Sequence, residues 1–191
     1  MLTDLTYYLT FYLILPAAYI CILGPFETFI HELAHALTSR ILTKQPAQVY
    51  LGIVPQDDEV FNPPLKRPRT LVFSLAGIRF HLKPFSGPLG FAHWEPVDEH
   101  ELWTYLAGPL ASLLLAIIFS VTTYFARSHV HAFSIWYYIN EFAAIAAFLQ
   151  FLLTIIPMRY PSWWWKYAGY PSDGYQVLHI IRSRRQTMVM P

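Results

Sequence analysis

The sequence predicts a mainly α-helical membrane protein, a polytopic helix bundle that carries a small β-rich insertion. Three observations predict it. Only 13% of the 191 residues are charged and 55% are hydrophobic, whereas a soluble domain carries about 25% charged residues. The charges are also clustered: residues 102–126 hold none and residues 132–156 hold one, Glu141. Between the first helical region and these two runs, residues 43–101 change in kind, with eight prolines and short alternating stretches. So much apolar surface excludes general disorder. A net charge of +1 offers no field for recruiting nucleic acid. The single Cys21 excludes an intramolecular disulfide or a cysteine metal cage.

Residues 5–23 are free of charge, Gly24-Pro25 interrupts, and 26–42 resumes a helical pattern. Pro25 suits the first turn of a helix, so one kinked helix or two short ones are expected. A signal peptide is not, because the start carries Asp4 and no Lys or Arg and no small-residue cleavage site follows. Residues 48–54, 70–75 and 78–82 read as strands of a small sheet. Arg79 and His81 alternate with Ile78, Phe80 and Leu82, as one half-exposed strand requires. Gln56-Asp57-Asp58-Glu59 reads as a solvated turn. Apolar runs of about 20 residues span a hydrocarbon core, so 102–157 reads as two transmembrane helices. The tail, 158–191, opens with loop signals and Trp163-Trp164-Trp165-Lys166, then a short helix from about 173 to 185. Aromatics beside a basic residue suit the lipid headgroup zone.

Together these form a single membrane-embedded unit, 1–191. Loop 43–101 holds six Lys and Arg and the tail five, while the connection between the two long helices holds only Arg127. The positive-inside rule places that loop and the tail in the cytosol. Met1 lies on a side set by whether residues 5–42 cross once or twice.

The chemistry centres on His31-Glu32-Leu33-Ala34-His35, an HExxH. On a helix, positions i and i+4 share one face, so two imidazoles can reach one Zn²⁺ ion. A catalytic zinc site keeps one position open for water. The glutamate beside the first histidine is placed to take that water's proton. Ionisable groups at membrane depth are costly and mark function by default. Two histidines need a third protein ligand. Cys21 is ten residues from His31 and is a poor choice. Glu27 lies one turn before His31 on the same face, where supporting a ligand from behind or lining a polar path fits better than ligation. Glu141 is 16 residues from Pro157, about 24 Å along a helix. The histidines are about 10–17 Å from the end of theirs at Leu42. Asp173 can come closer if its loop folds back into the membrane, and it also reads as a plain helix N-cap.

At this point the chain resembles the site-2 protease family of intramembrane zinc metalloproteases, over about residues 20–185. Phe29-Ile30-His31-Glu32-Leu33-Ala34-His35-Ala36-Leu37 is similar to the family's HELGHA-type helix. Leu82-Lys83-Pro84-Phe85-Ser86-Gly87 resembles its LPxGG loop, and Ala107-Gly108-Pro109-Leu110-Ala111-Ser112 its AGPxAN. Pro171-Ser172-Asp173-Gly174 resembles its PxxDG. The resemblance implies a three-helix core, zinc held by His31, His35 and Asp173, and Glu32 as general base. It also implies hydrolysis of a peptide bond in or near a transmembrane segment of a membrane protein substrate, within the lipid bilayer. The β-rich loop would be membrane-associated and able to pair with an unwinding substrate strand. No stretch is long enough for an added PDZ or nucleotide-sensing domain, which implies a minimal core.

The chain also differs from the pattern. Ser112 stands where the family has Asn, and Thr154-Ile155-Ile156-Pro157 has Thr where the family's NLLP has Asn. The gap from Pro157 to Asp173 is longer than usual, and the tryptophan run fills it. These differences motivate an alternative reading, a non-proteolytic metal-binding membrane protein acting as regulator or scaffold. A third reading keeps the protease and makes Glu141 the ligand. Gly108-Pro109 reads as helix-packing residues. His81, His93, His100, His129, His131 and His179 show no ligand spacing with a partner, and His129 and His131 read as a short solvated loop.

Overall fold

The computed structural model of the chain describes residues 9, 13–54, 70–84, 87–129 and 135–189. It is mainly helical with one small mixed sheet. A helical turn, Leu15–Ala18, passes through a π-helical turn, Tyr19–Leu23, into helix α1, Gly24–Thr43. The break falls at Gly24-Pro25, with the proline at the start of α1, where its missing N–H costs nothing. The first region is thus one interrupted helix over the described residues. Helix α1 ends on Lys44 in the left-handed conformation (φ 63°), with the Lys44 N–H donated to the Arg40 carbonyl.

Four strands follow: β1 Ala47–Leu51, β2 Leu71–Leu75, β3 Ile78–Leu82 and β4 Gly90–Trp94. The sheet order is β2-β3-β1-β4. β2 and β3 form a hairpin whose turn, Ala76-Gly77, has positive φ at both residues (52° and 82°), the conformation that matches strand twist. β1 runs parallel to β3 and antiparallel to β4. Alternation turns Ala47, Val49, Ile78 and Phe80 toward α1, where they pack with Ala36, Phe29, Leu33 and Trp94. Arg40 Nε reaches the Ala76 carbonyl at 3.3 Å and ties the hairpin to the end of α1.

The half-exposed pattern expected of β3 holds for Arg79 and fails for His81, which is buried. His81 sits beside Tyr50 of β1 in register, stacks on its ring at 4.4 Å and bonds Gln48 Oε1 at 3.2 Å. β4 extends the sheet beyond the three expected strands. The turn expected at 56–59 lies outside the described residues.

Helices α2, Glu101–His129, and α3, Ile135–Ile155, are the two long ones. Both are long and apolar enough to cross a membrane: 18-residue stretches within Glu101–Arg127 and Trp136–Ile155 reach mean hydropathies of 2.0 and 1.6. Large apolar side chains such as Leu110, Leu114, Ile117, Val121 and Phe148 are exposed on their outer faces. His129 closes α2 rather than lying in a loop, and His131 lies outside the described residues. Helix α1 is held between α2 on one side and the sheet on the other.

The tail folds back through a narrow-necked loop. Arg159 bridges Pro171, Tyr160 N–H reaches the Tyr170 carbonyl at 2.9 Å, and Gly169 N–H reaches the Tyr160 carbonyl at 2.8 Å. Helix α4, Asp173–Val189, then begins against the end of α3 and is longer than its expected span. Its second residue, Gly174, meets the Ile155 carbonyl so closely that a Cβ would overlap backbone. Backbone cannot swing aside as a side chain can, and overpacking of this kind costs about 1–3 kcal/mol. Gly174→Ala is therefore expected to lower the midpoint of thermal unfolding in detergent by several degrees, while Gly169→Ala, with open space around it, is expected to have a smaller effect despite its positive φ.

Candidate metal centre

Four residues of α1 at spacing four, Glu27, His31, His35 and Ser39, are buried on one face. Four residues of α2 at the same spacing, Thr104, Gly108, Ser112 and Ala116, are buried as well. These two stripes of small and polar side chains meet, and the imidazoles stand between them. His31 Nδ1 pairs with Ser112 Oγ at 2.8 Å. His35 Nδ1 donates to the Thr104 carbonyl at 2.7 Å. A carbonyl only accepts, so His35 carries its proton on Nδ1 and presents a lone pair on Nε2. The Ser112 hydroxyl can accept or donate, so His31 can take the same tautomer, with Nδ1 bonded to the serine and Nε2 turned to the group.

Pro109 sits inside α2, where it removes a helical hydrogen bond and opens the turn before it. The carbonyl it leaves without a helical partner is that of Tyr105, next to the Thr104 carbonyl that serves His35. Gly108 lies directly against both imidazoles: a Cβ there would overlap His35 Nε2 and stand 2.7 Å from His31 Nε2. The glycine is thus a site residue rather than only a helix-packing one. Trp94 of β4 closes the far side by stacking on His35 at 5.6 Å.

Asp173 completes the group. The residue that caps α4 is Ser172, not Asp173: the Ser172 hydroxyl accepts the Tyr175 N–H at 3.1 Å and donates to the Ile156 carbonyl at 2.7 Å. This leaves the Asp173 carboxylate free to face the histidines, with Oδ2 3.2 Å from His31 Nε2 and Oδ1 3.5 Å from His35 Nε2. The two Nε2 atoms are 3.2 Å apart. The three residues, expected from sequence, do converge, their ligand atoms all within 4.8 Å of one another. Two lone pairs and a carboxylate repel unless a cation lies among them, either a metal ion or a proton held in its place. His31, His35 and Asp173 can hold a metal ion.

Glu32 points the other way around α1, toward β4. Its carboxylate takes a hydrogen bond from the Ala92 backbone, and it lines the same cavity as the three ligands. That cavity, about 860 Å³, runs between β4, α3 and the loop before α4. Phe142, Leu149 and Leu153 give it an apolar wall, and Tyr160, Trp164, Tyr167 and Tyr170 roof it. Burial first, and then the nearby Glu32 charge, push the Tyr167 hydroxyl far above the ordinary phenol range. Tyr160 is raised by burial and by Asp173 in the same way. Both hydroxyls therefore keep their protons and can donate.

The other sequence candidates fall outside the group. Glu141 lies in α3 and does not join it. Glu27 is fully buried, and neither carboxylate oxygen has a partner among the described residues. Cys21 is exposed. Thr154 bonds back to the carbonyls of its own helix at 3.0 and 3.2 Å. Sequence reasoning missed Thr104 and β4 as parts of the site, and read Ser112 only as a departure from the resembling motif, not as the partner of His31. The stripe of small and polar residues at spacing four within an apolar helix was the available signal. No known protein family, curated protein or solved structure matches this chain.

Metal analysis of the purified chain and its variants tests the group. His31→Ala and Asp173→Ala are expected to lose the bound metal, and Glu141→Ala to retain it. Ser112→Ala, which removes only an imidazole's outer partner, is expected to weaken affinity by about 10–100-fold while the helical circular dichroism is unchanged.

Proposed function

We propose that the chain is a zinc-dependent endopeptidase of the membrane, cleaving a peptide bond in or near a transmembrane segment of a substrate protein. The observation that carries this reading is the convergence of His31, His35 and Asp173 beside Glu32 in one apolar cavity. The two Nε2 atoms are 3.2 Å apart, and each has one Asp173 oxygen nearby, Oδ2 at 3.2 Å from His31 and Oδ1 at 3.5 Å from His35. The edge of a tetrahedron with bonds of about 2.0–2.1 Å is about 3.3–3.4 Å, and zinc prefers such a site with two imidazoles and a carboxylate. The donor set therefore suits zinc.

His31 Nε2, His35 Nε2 and Asp173 would hold the ion. Bound there, zinc supplies a Lewis acid that acidifies water and polarises a carbonyl. Glu32 takes a proton from the attacking water and returns it to the leaving amine. The Ala92 N–H keeps the carboxylate oriented toward the cavity. The apolar wall of α3 and the aromatic roof lower the polarity around the site, which strengthens the charge interactions inside. The Thr104 carbonyl fixes the His35 tautomer and Ser112 orients the His31 ring before substrate arrives, so no reorientation of the rings is needed in the reaction.

In this reading α2 and α3 cross the bilayer and α1 lies beside them, making a three-helix core. The eleven Lys and Arg of loop 43–101 and the tail put both on the cytosolic side. The exposed apolar faces of α2 and α3 suit lipid.

A quenched-fluorescence peptide built on an apolar helix of about 20 residues provides the assay. Glu32→Gln should bind zinc as the wild type does and lose about 10²–10⁴-fold in kcat, the contribution of a general base. Cleavage at the wild-type rate would sink the hydrolytic reading and leave the metal to a regulatory or scaffolding role.

A further inference from the structure

Tyr167 lies in the loop before α4, 77 residues from Gly90 in sequence, yet its hydroxyl meets both polar groups of that residue. It accepts the Gly90 N–H at 2.7 Å and donates to the Gly90 carbonyl at 2.7 Å. In an antiparallel pair, alternate residues turn both polar groups away from the partner strand. Gly52 N–H bonds the Leu89 carbonyl at 2.6 Å, so Leu89 faces β1 while Gly90 and Ala92 face the outer edge of β4. On that edge Gly90 is held by Tyr167, and Ala92 donates to Glu32. Gly90 also has no room for a side chain beside Glu32. A Cβ on it would stand 2.8 Å from Glu32 Cγ and 3.2 Å from Oε1, and would overlap the Thr28 methyl.

We infer that Tyr167 is a positioning residue for Glu32: its double hydrogen bond locks β4 at Gly90, so that the Gly90 backbone and the Ala92 N–H hold the glutamate in one place. The inference rests on the reading of Glu32 as general base. The geometry gives the long gap between Pro157 and Asp173 a task. The loop that delivers Asp173 to the histidines also carries the clamp that fixes the base, so one segment sets both sides of the site. Its fold is suited to this: the Arg159–Pro171 bridge closes the neck, and Tyr160 packs on the Tyr167 ring at 5.8 Å.

Tyr167→Phe removes the hydroxyl and keeps the ring. In the full-length chain in detergent, hydrogen exchange at the Ala92 amide should accelerate about tenfold or more, with the metal content unchanged. With the quenched-fluorescence helix peptide, kcat should fall about tenfold or more while KM stays within about twofold. Gly90→Ala, which pushes on Glu32 from the strand side, should lower kcat similarly and keep the metal. It serves as the second variant if Tyr167→Phe does not fold. Unchanged Ala92 exchange in Tyr167→Phe, or wild-type kcat in Gly90→Ala, would overturn the inference. So would metal loss, which makes Tyr167 a support of the ligands, and so would faster cleavage, which makes the loop a lid. If the wild type cleaves nothing, the hydrolytic reading fails, and the exchange result alone decides whether Tyr167 holds β4 against Glu32.

Discussion

Two imidazoles on consecutive turns of a helix can share one ion only if the neighbouring helix leaves them room and gives each ring a partner. Helix α2 does both with three residues on one stripe. Gly108 leaves the space that any side chain would fill. Thr104 and Ser112, one turn to either side, take the two Nδ1 atoms. The close approach of α1 and α2 follows from this, because small residues let helices approach. So does the outward turn of the bulky residues of α2, since its inner face is committed to the histidines. A larger residue at 108 would separate the helices and the ligand atoms together.

The third ligand arrives by a different route, and its placement depends on residues that touch no ion. Ser172 takes the capping role that would otherwise fall to Asp173, and the absence of a side chain at Gly174 brings the start of α4 against the end of α3. On the opposite side of α1, the sheet packs Val49, Phe80 and their neighbours against Leu33 and Ala36. That packing puts β4 beside Glu32. The HExxH helix thus presents its histidines to α2 and its glutamate to the sheet, two neighbours on two faces, as a 3.6-residue repeat allows.

Much of this was legible in the sequence. The charge-poor runs marked α2 and α3, and HExxH marked the histidines and Glu32. Asp173 stood out because a break followed by a helix start can bring an acid to their depth. The legible features are local: a period, a spacing, a proline. What stayed hidden depends on contacts between distant segments. β4 is five residues long, opens on a glycine that weakens a strand signal, and has Tyr167 and Glu32 as its outer-edge partners. His81 fits an exposed strand position until Tyr50 is placed beside it. Ser112 reads as a departure from the resembling motif, yet it supplies the hydrogen bond to His31. The sequence shows that a polar atom is present there, and only the helix crossing shows which ring it meets. Glu27 has the opposite status: its place one turn from His31 is legible, and its buried carboxyl group meets no hydrogen-bond partner among the described residues.

The account rests on the claim that the triangle of two Nε2 atoms and a carboxylate exists to hold a metal ion. X-ray absorption spectroscopy at the zinc edge, on the purified chain loaded with one equivalent of zinc, tests that most directly. The account predicts a four-coordinate ion with two imidazole ligands and light oxygen ligands at about 2.0–2.1 Å, the imidazole scattering falling when His31 or His35 is replaced. A chain that binds no zinc, or an imidazole count that is indifferent to both histidines, would contradict it.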